Sequence, residues 1–255
     1  MMKITKIFVV GVALLALNLN AADTKTVSPK VEISEAGNKI LRQIDDNLLP
    51  PETVFYRKLI NIEPDGSKKE FVLFTAKKGR DKILSTFLQP KSEVGRNTLR
   101  VGDNMWLYIP SIGRPIRITS LQSITGGLFN NSDIMRLDFS AEYNCVKINT
   151  KDAMLILKAK TGSVAYDKVI IQYDKKRKIP TKIECYTSSG MLVKTLHYKN
   201  IKDFGNNIVR PAVIETDSPM YKGYKSVMIF AKIRSRKLPD ELFTINSMTK
   251  ITDLR

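Results

Sequence analysis

The sequence predicts a mainly β protein with a few helices, folded as one domain around an antiparallel sheet. Three observations carry that reading. Apolar residues recur with period two in run after run from Val54 to Ile233, and Gly, Pro, Asn, Asp and Ser clusters separate the runs, which is the pattern of strands joined by turns. Near residues 34–47 the spacing is instead helical. Finally, Met105-Trp106-Leu107-Tyr108-Ile109, between Gly102-Asp103 and Pro110, is apolar at every position. A strand there sends Met105, Leu107 and Ile109 to one face and Trp106 and Tyr108 to the other, and both faces need cover.

In chain order, Lys3 and Lys6 precede an apolar run from Ile7 to Leu17, followed by Leu19-Asn20-Ala21. This is the composition of a secretory signal peptide cut after Ala21, and the run is too short for a convincing membrane span. Residues 22–255 are then the mature domain. Ser34 offers an N-cap, and Ile40, Leu41, Ile44 and Leu48 share a helical face until Pro50-Pro51 stops the pattern. Residues 54–62 and 69–77 read as a hairpin about Pro64-Asp65-Gly66-Ser67, with strands at 83–89 and 96–101 after it. In the second strand Phe71 and Leu73 oppose Val72 and Phe74, so this strand too is two-faced. Beyond the central strand, Gly113-Arg114-Pro115 turns the chain into a return strand at 116–119.

Residues 120–139 are the least regular. Gly126-Gly127 followed by Leu128-Phe129 suits a mobile flap with an apolar tip; the alternative is a packed loop with a helical turn starting at Ser132. Strands at 153–159, 165–173, 181–186, 192–200, 208–215 and 226–233 then form a meander. Those at 168–173 and 181–186 alternate cleanly, with Val169 and Ile171 inward and Lys168 and Gln172 outward. Residues 153–158 and 227–231 are apolar on both sides. A sheet that curls brings such two-faced strands around one interior, and Leu242 and Phe243 are placed to plug its end.

The chain of 255 residues has 42 Lys and Arg against 25 Asp and Glu, a net charge of +17, which favours polyanionic partners. Export removes intracellular nucleic acid from consideration and leaves anionic lipid or an acidic partner. Cys145 and Cys185 are the only cysteines, open to one disulfide in an oxidising compartment or to two buried thiols. Two cysteines and one histidine argue against a metal site, and nothing points to a cofactor. The single histidine, His197, sits mid-strand with no nucleophile elbow, and reads as hydrogen-bonded and structural. Gly126-Gly127 lacks the Lys-Ser/Thr of a phosphate loop, and carboxylates such as Asp133 and Asp138 read as helix caps. No catalytic residue is expected, and the chain does not read as an enzyme.

The G-D-x-M-W-L-Y-x-P phrase at 102–110, the arginines Arg114 and Arg117 after it, and the closing Leu238-Pro239-Asp240-Glu241-Leu242-Phe243 resemble the LolA-like family of outer-membrane lipoprotein-sorting proteins, over roughly residues 34–245. The resemblance implies a strongly curved antiparallel sheet, an unclosed barrel, with helices covering the concave side and acyl chains held between. Phe74, Met105, Trp106, Leu107, Tyr108, Ile109 and Ile156 would supply the cavity wall, although which face of the 105–109 strand meets ligand stays open. Leu128 and Phe129 would form the lid. Arg114 and Arg117 would be rim charges, against the alternative of solvated strand ends. The implied function is a monomeric periplasmic carrier for lipid or lipoprotein acyl chains, working with an inner-membrane transporter and an anionic membrane surface. The alternatives are an envelope sensor or accessory subunit of an exporter and, against the missing base, a lipid hydrolase.

Overall fold

The computed structural model describes residues 32–249, so the signal-peptide reading of residues 1–21 lies outside them. Helix α1 (Glu35–Leu48) begins where the spacing predicts: the Ser34 hydroxyl accepts the Gly37 N–H at 3.1 Å, satisfying one of the unpaired donors of the first turn. Its buried face carries Leu41, Ile44 and Leu48. Strands β1 (Glu52–Ile62), β2 (Lys68–Lys78), β3 (Lys82–Gln89), β4 (Asn97–Val101), β5 (Asn104–Tyr108) and β6 (Pro115–Ile118) follow as a continuous antiparallel run. Two short helices, α2 (Asn131–Met135) and α3 (Phe139–Glu142), come next, and then β7 (Tyr143–Asn149), β8 (Met154–Ala159), β9 (Lys168–Tyr173), β10 (Pro180–Tyr186), β11 (Leu192–Asp203), β12 (Val209–Asp217) and β13 (Lys225–Ser235). The chain closes with 3-10 turns at Asp240–Phe243 and Asn246–Thr249.

All thirteen strands among the described residues belong to one sheet in the order β6-β5-β4-β3-β2-β1-β13-β12-β11-β10-β9-β8-β7. Two meanders are thus joined through the pairing of β1 with β13. The sheet is unclosed, since β6 and β7 are its edges, and the connection 119–142 that links those edges carries α2 and α3. The sheet curves around this connection. Arg100 on β4 donates to the Met135 carbonyl at 3.2 Å, and Lys194 on β11 lies 2.7 Å from Asp133. A flat sheet would hold β4 and β11, six neighbours apart, about 29 Å from one another at ~4.8 Å per strand; reaching residues two apart on one short helix requires a curl.

In β1–β5 the two-faced strands have a separate partner on each side, whereas the outer residues of β8 and β13, such as Ile156 and Ile229, are only half-buried. Phe55, Leu59, Leu73, Met105, Leu155, Leu157, Val169 and Ile171 belong to the concave core, with α1 and the 119–142 segment packed on them. Val54, Phe74, Ala76, Leu84 and Leu99 form a second cluster with Leu238, Phe243 and Met248, against which Trp106 and Tyr108 pack. The C-terminal segment therefore covers the convex face of β1–β5, where plugging an end of the barrel was expected. Val169 and Ile171 are fully buried while Lys168, Ile170 and Gln172 are half-buried, the alternation read from the sequence.

The disulfide reading is corrected: Cys145 and Cys185 are free thiols, both buried. The register gives the reason. Cys145 pairs with Leu157, Leu157 with Val169 and Val169 with Cys185, so the two thiols stand in one row across the sheet, three strand spacings or about 14 Å apart. A disulfide needs Cα atoms within about 7 Å.

Candidate functional site: a latched cavity under the helical plug

Between the concave face and its helices lies a cavity of about 50 Å³. Its floor comes from β10–β13, with Cys185, Leu196, Tyr198, Arg210, Ile214, Met228 and Phe230. Its roof comes from Leu48 and Leu49 at the end of α1 and from Phe129, Asp133, Arg136, Leu137 and Phe139 of the 119–142 connection. Room for a drug-sized ligand or a lipid is several hundred Å³, so the plug is closed down on the sheet.

The plug is held by polar side chains that rise from the inward face of the strands. On β1, Phe55, Arg57, Leu59 and Asn61 alternate onto one face and all are buried. Arg57 donates to the Ile134 carbonyl at 2.8 Å and to Ser85 Oγ at 3.2 Å. Asn61 donates to the Thr125 and Gly126 carbonyls, both at 2.9 Å. Lys194 donates to the Leu128 carbonyl and pairs with Asp133, whose other oxygen accepts the Tyr166 hydroxyl at 2.9 Å. Arg210 donates to the Leu48 carbonyl at 2.8 Å and stacks on Phe230, 3.9 Å from the ring centre. Burial, with the charge of Arg210 second, pulls the Arg57 guanidinium down to about 9, which still leaves it charged at neutral pH. Buried charge is costly unless paired and hydrogen-bonded, and each of these cations finds one acceptor on the backbone of the connection or of α1.

Within the plug, Asn130 and Asp133 form a reciprocal capping box that starts α2, with the N-cap at Asn130, two residues before the Ser132 expected to begin the turn. Helix α3 has no side-chain cap of its own. Asp45 of α1 fills that role by accepting the Phe139 and Ser140 N–H groups at 2.9 and 2.8 Å. Burial and the nearby Asp138 raise Asp45 to about 7. Asp138 in turn pairs with Lys77 at 3.0 Å in full burial and with Arg80 at 3.2 Å. Glu142 is shared by Arg100 and Arg136.

A second depression, an open groove of about 490 Å³, lies on the other side of the Gly127–Asn130 backbone. Leu121, Leu128, Val193, Met220, Tyr221 and Tyr224 line it together with Ser123, Lys194 and Ser218. Leu121 is 68% exposed, Tyr221 56% and Met220 50%, so this rim is an apolar surface facing water, with Lys222 and Lys225 exposed beside it. The Lys194–Asp133–Tyr166 network stands between groove and cavity.

Of the residues expected at the cavity, Phe129 lines it and Leu128 lines the outer groove. Met105 and Leu107 are buried, Met105 in the concave core, away from the cavity. Phe74, Trp106 and Tyr108 are brought together on the convex side, because alternation turns them away and the C-terminal segment covers them. Ile109 is half-buried just past the end of β5, and Ile156 is half-buried on the face of β8 opposite Leu155 and Leu157. Arg114 and Arg117 are exposed. Arg117 lies over the Trp106 ring and bonds Asn104, and it borders a gap of about 380 Å³ between the β6 edge and residues 162–164 rather than the cavity. His197 faces outward, 3.2 Å from Asp217. Sequence reasoning missed Arg57, Arg100, Lys194 and Arg210. A signal was available for Arg57, Lys194 and Arg210, each a cation on the inward face of a strand whose inward neighbours are apolar, but not for Arg100, which stands between Thr98 and Gly102.

A family model described as an uncharacterized protein matches residues 79–250. Among curated proteins no match is found. A LolA superfamily protein from Nitrosomonas europaea is similar at 27% identity and TM-score 0.74, covering 82% of this chain and 97% of that one. A domain classed as an outer membrane lipoprotein-sorting protein, from Vibrio parahaemolyticus, shares the fold at 20% identity and TM-score 0.70, over 84% and 99% of the two chains. A member of a family of unknown function from Desulfovibrio piger does so at 19% identity and TM-score 0.70, over 84% and 98%. Among the described residues, no helix is long and apolar enough to cross a membrane.

Proposed function

The chain belongs to the LolA-like family of outer-membrane lipoprotein-sorting proteins, and from that premise we propose that it is a periplasmic carrier, holding lipid or lipoprotein acyl chains between its curved sheet and its helical plug. The observation that carries this reading is the plug's attachment. Leu128, Ile134 and Met135 are held through their carbonyls by Lys194, Arg57 and Arg100, and such bonds can be exchanged for water when the plug lifts. Lifting exposes Leu196, Ile214, Met228 and Phe230 on the floor. Burial of a methylene is worth about 0.8 kcal/mol, so a long chain can replace the contacts that the plug gives up. The exposed rim of Leu121, Met220, Tyr221 and Tyr224 beside Lys222 and Lys225 supports contact with an anionic membrane, where aromatic and lysine side chains suit the interface.

Uptake of a fluorescent fatty acid tests this. The protein takes up the probe, Leu196→Asp abolishes uptake while leaving the circular dichroism spectrum unchanged, and Arg57→Met speeds uptake by releasing the plug. No uptake by the folded wild type, together with no lipid in native mass spectra of periplasmic protein, would sink the carrier reading. A sensor of lipid status would bind the probe and deliver none of it to acceptor vesicles.

A further inference from the structure

Four charged residues stand on the wall of the cavity: Asp133, Arg136, Glu142 and Arg210. Three are occupied by protein. Asp133 takes Lys194, Tyr166 and the Asn130 N–H. Glu142 takes a guanidinium on each oxygen. Arg210 spends Nε on the Pro211 carbonyl and Nη1 on the Leu48 carbonyl. Arg136 differs. It is buried, its Nη1 meets Glu142 and, at 3.4 Å, the half-exposed Asp103, but its Nε and Nη2 are buried with no partner among the described residues. Buried donors without acceptors are rare and cost about 1–3 kcal/mol each, and here they belong to a residue on the wall of the cavity.

We infer that Arg136 reads the polar end of the bound chain: its free donors take the carbonyl or carboxylate oxygen of an acyl group whose hydrocarbon lies along Leu196, Met228 and Phe230. The chemistry of the side chain favours an acceptor of this kind: a planar guanidinium presents donors in the geometry that an ester or carboxylate accepts. Because Arg136 forms the C-cap of α2, filling its donors also acts on the plug itself. The inference rests on the carrier reading and gives it a ligand class: acyl chains with an oxygen acceptor at the head, in preference to plain hydrocarbon.

The test compares binding of dodecanoate, methyl dodecanoate and dodecane, each by displacement of one hydrocarbon fluorophore. The wild type binds the acid and the ester at least tenfold more tightly than dodecane. Arg136→Met brings both down to the level of dodecane and leaves dodecane unchanged; Arg136→Lys, which keeps the charge beside Glu142, retains the acid and loses the ester. Equal binding of all three by the wild type overturns the inference, as does a preference that survives Arg136→Met. Should Arg136→Met not fold, the wild-type ranking and the lysine variant decide. If the wild type displaces the fluorophore with dodecane but shows no preference, the assignment of Arg136 fails and the carrier stands; if no chain displaces it, both fail.

Discussion

Gly37 lies where α1 crosses β7, and a methyl group there would come within 2.2 Å of Cys145 Sγ and 2.8 Å of its Cβ. Alanine is worth about 1 kcal/mol over glycine inside a helix, but overpacking a tight contact costs about 1–3 kcal/mol, and the Cys145 backbone is pinned by its bonds to Ser34 and Asn38. Gly37→Ala is therefore expected to lower stability by up to about 2 kcal/mol in urea denaturation, against the helix-propensity trend. Asp45 makes the second residue-scale prediction. Burial raises its folded value to about 7, above the ordinary carboxylate range, so within that window the folded chain keeps a proton that the unfolded chain has released. The stability contributed by this group falls as pH rises from about 4 to about 7. Asp45→Asn removes that slope; its stability relative to wild type should be greater at about pH 7.5 than at about pH 4.5, and an unchanged difference refutes the assignment.

At the scale of elements, the C-terminal segment and the plug cover opposite faces of the same strands and do different work. Phe243, buried with Phe74, Leu84 and Leu99, belongs to the convex cover. Phe243→Ala should cost about 3 kcal/mol or more by leaving a cavity and leave fatty-acid affinity unchanged in the folded fraction. A loss of affinity without loss of stability would place this segment in the binding path. The plug is the element the sequence renders poorly. Its start at Asn130 and Asp133 is legible from capping chemistry, whereas α3 is not, because the group that caps it, Asp45, lies on another helix.

For the whole molecule, the row Cys145–Leu157–Val169–Cys185 across four strands predicts that reductant does nothing. The melting temperature with dithiothreitol should equal that without it, and any drop would require a bridge that this register forbids. The same curvature that separates the thiols brings β4 and β11 onto one short helix, so the plug couples strands far apart in the sheet. The two arms of the sheet cannot spread without breaking the Arg100 and Lys194 contacts together.

The sequence by itself determined the antiparallel meander, the capped helix at Ser34 and the need for cover on both faces of the 105–109 strand, because these follow from side-chain period and turn chemistry, which act over a few residues. Its resemblance to the family reached the curl and the plug. Only the tertiary structure decided which face meets what. Trp106 and Tyr108 go to the C-terminal segment and the cavity opens instead over β10–β13, since that choice depends on which distant segments arrive to cover each face, and alternation treats both faces alike. The latch is tertiary for the same reason. A cation at an inward strand position is visible in sequence, but the carbonyls that make its burial tolerable lie about 35 to 160 residues away, on segments that only the curled sheet brings near.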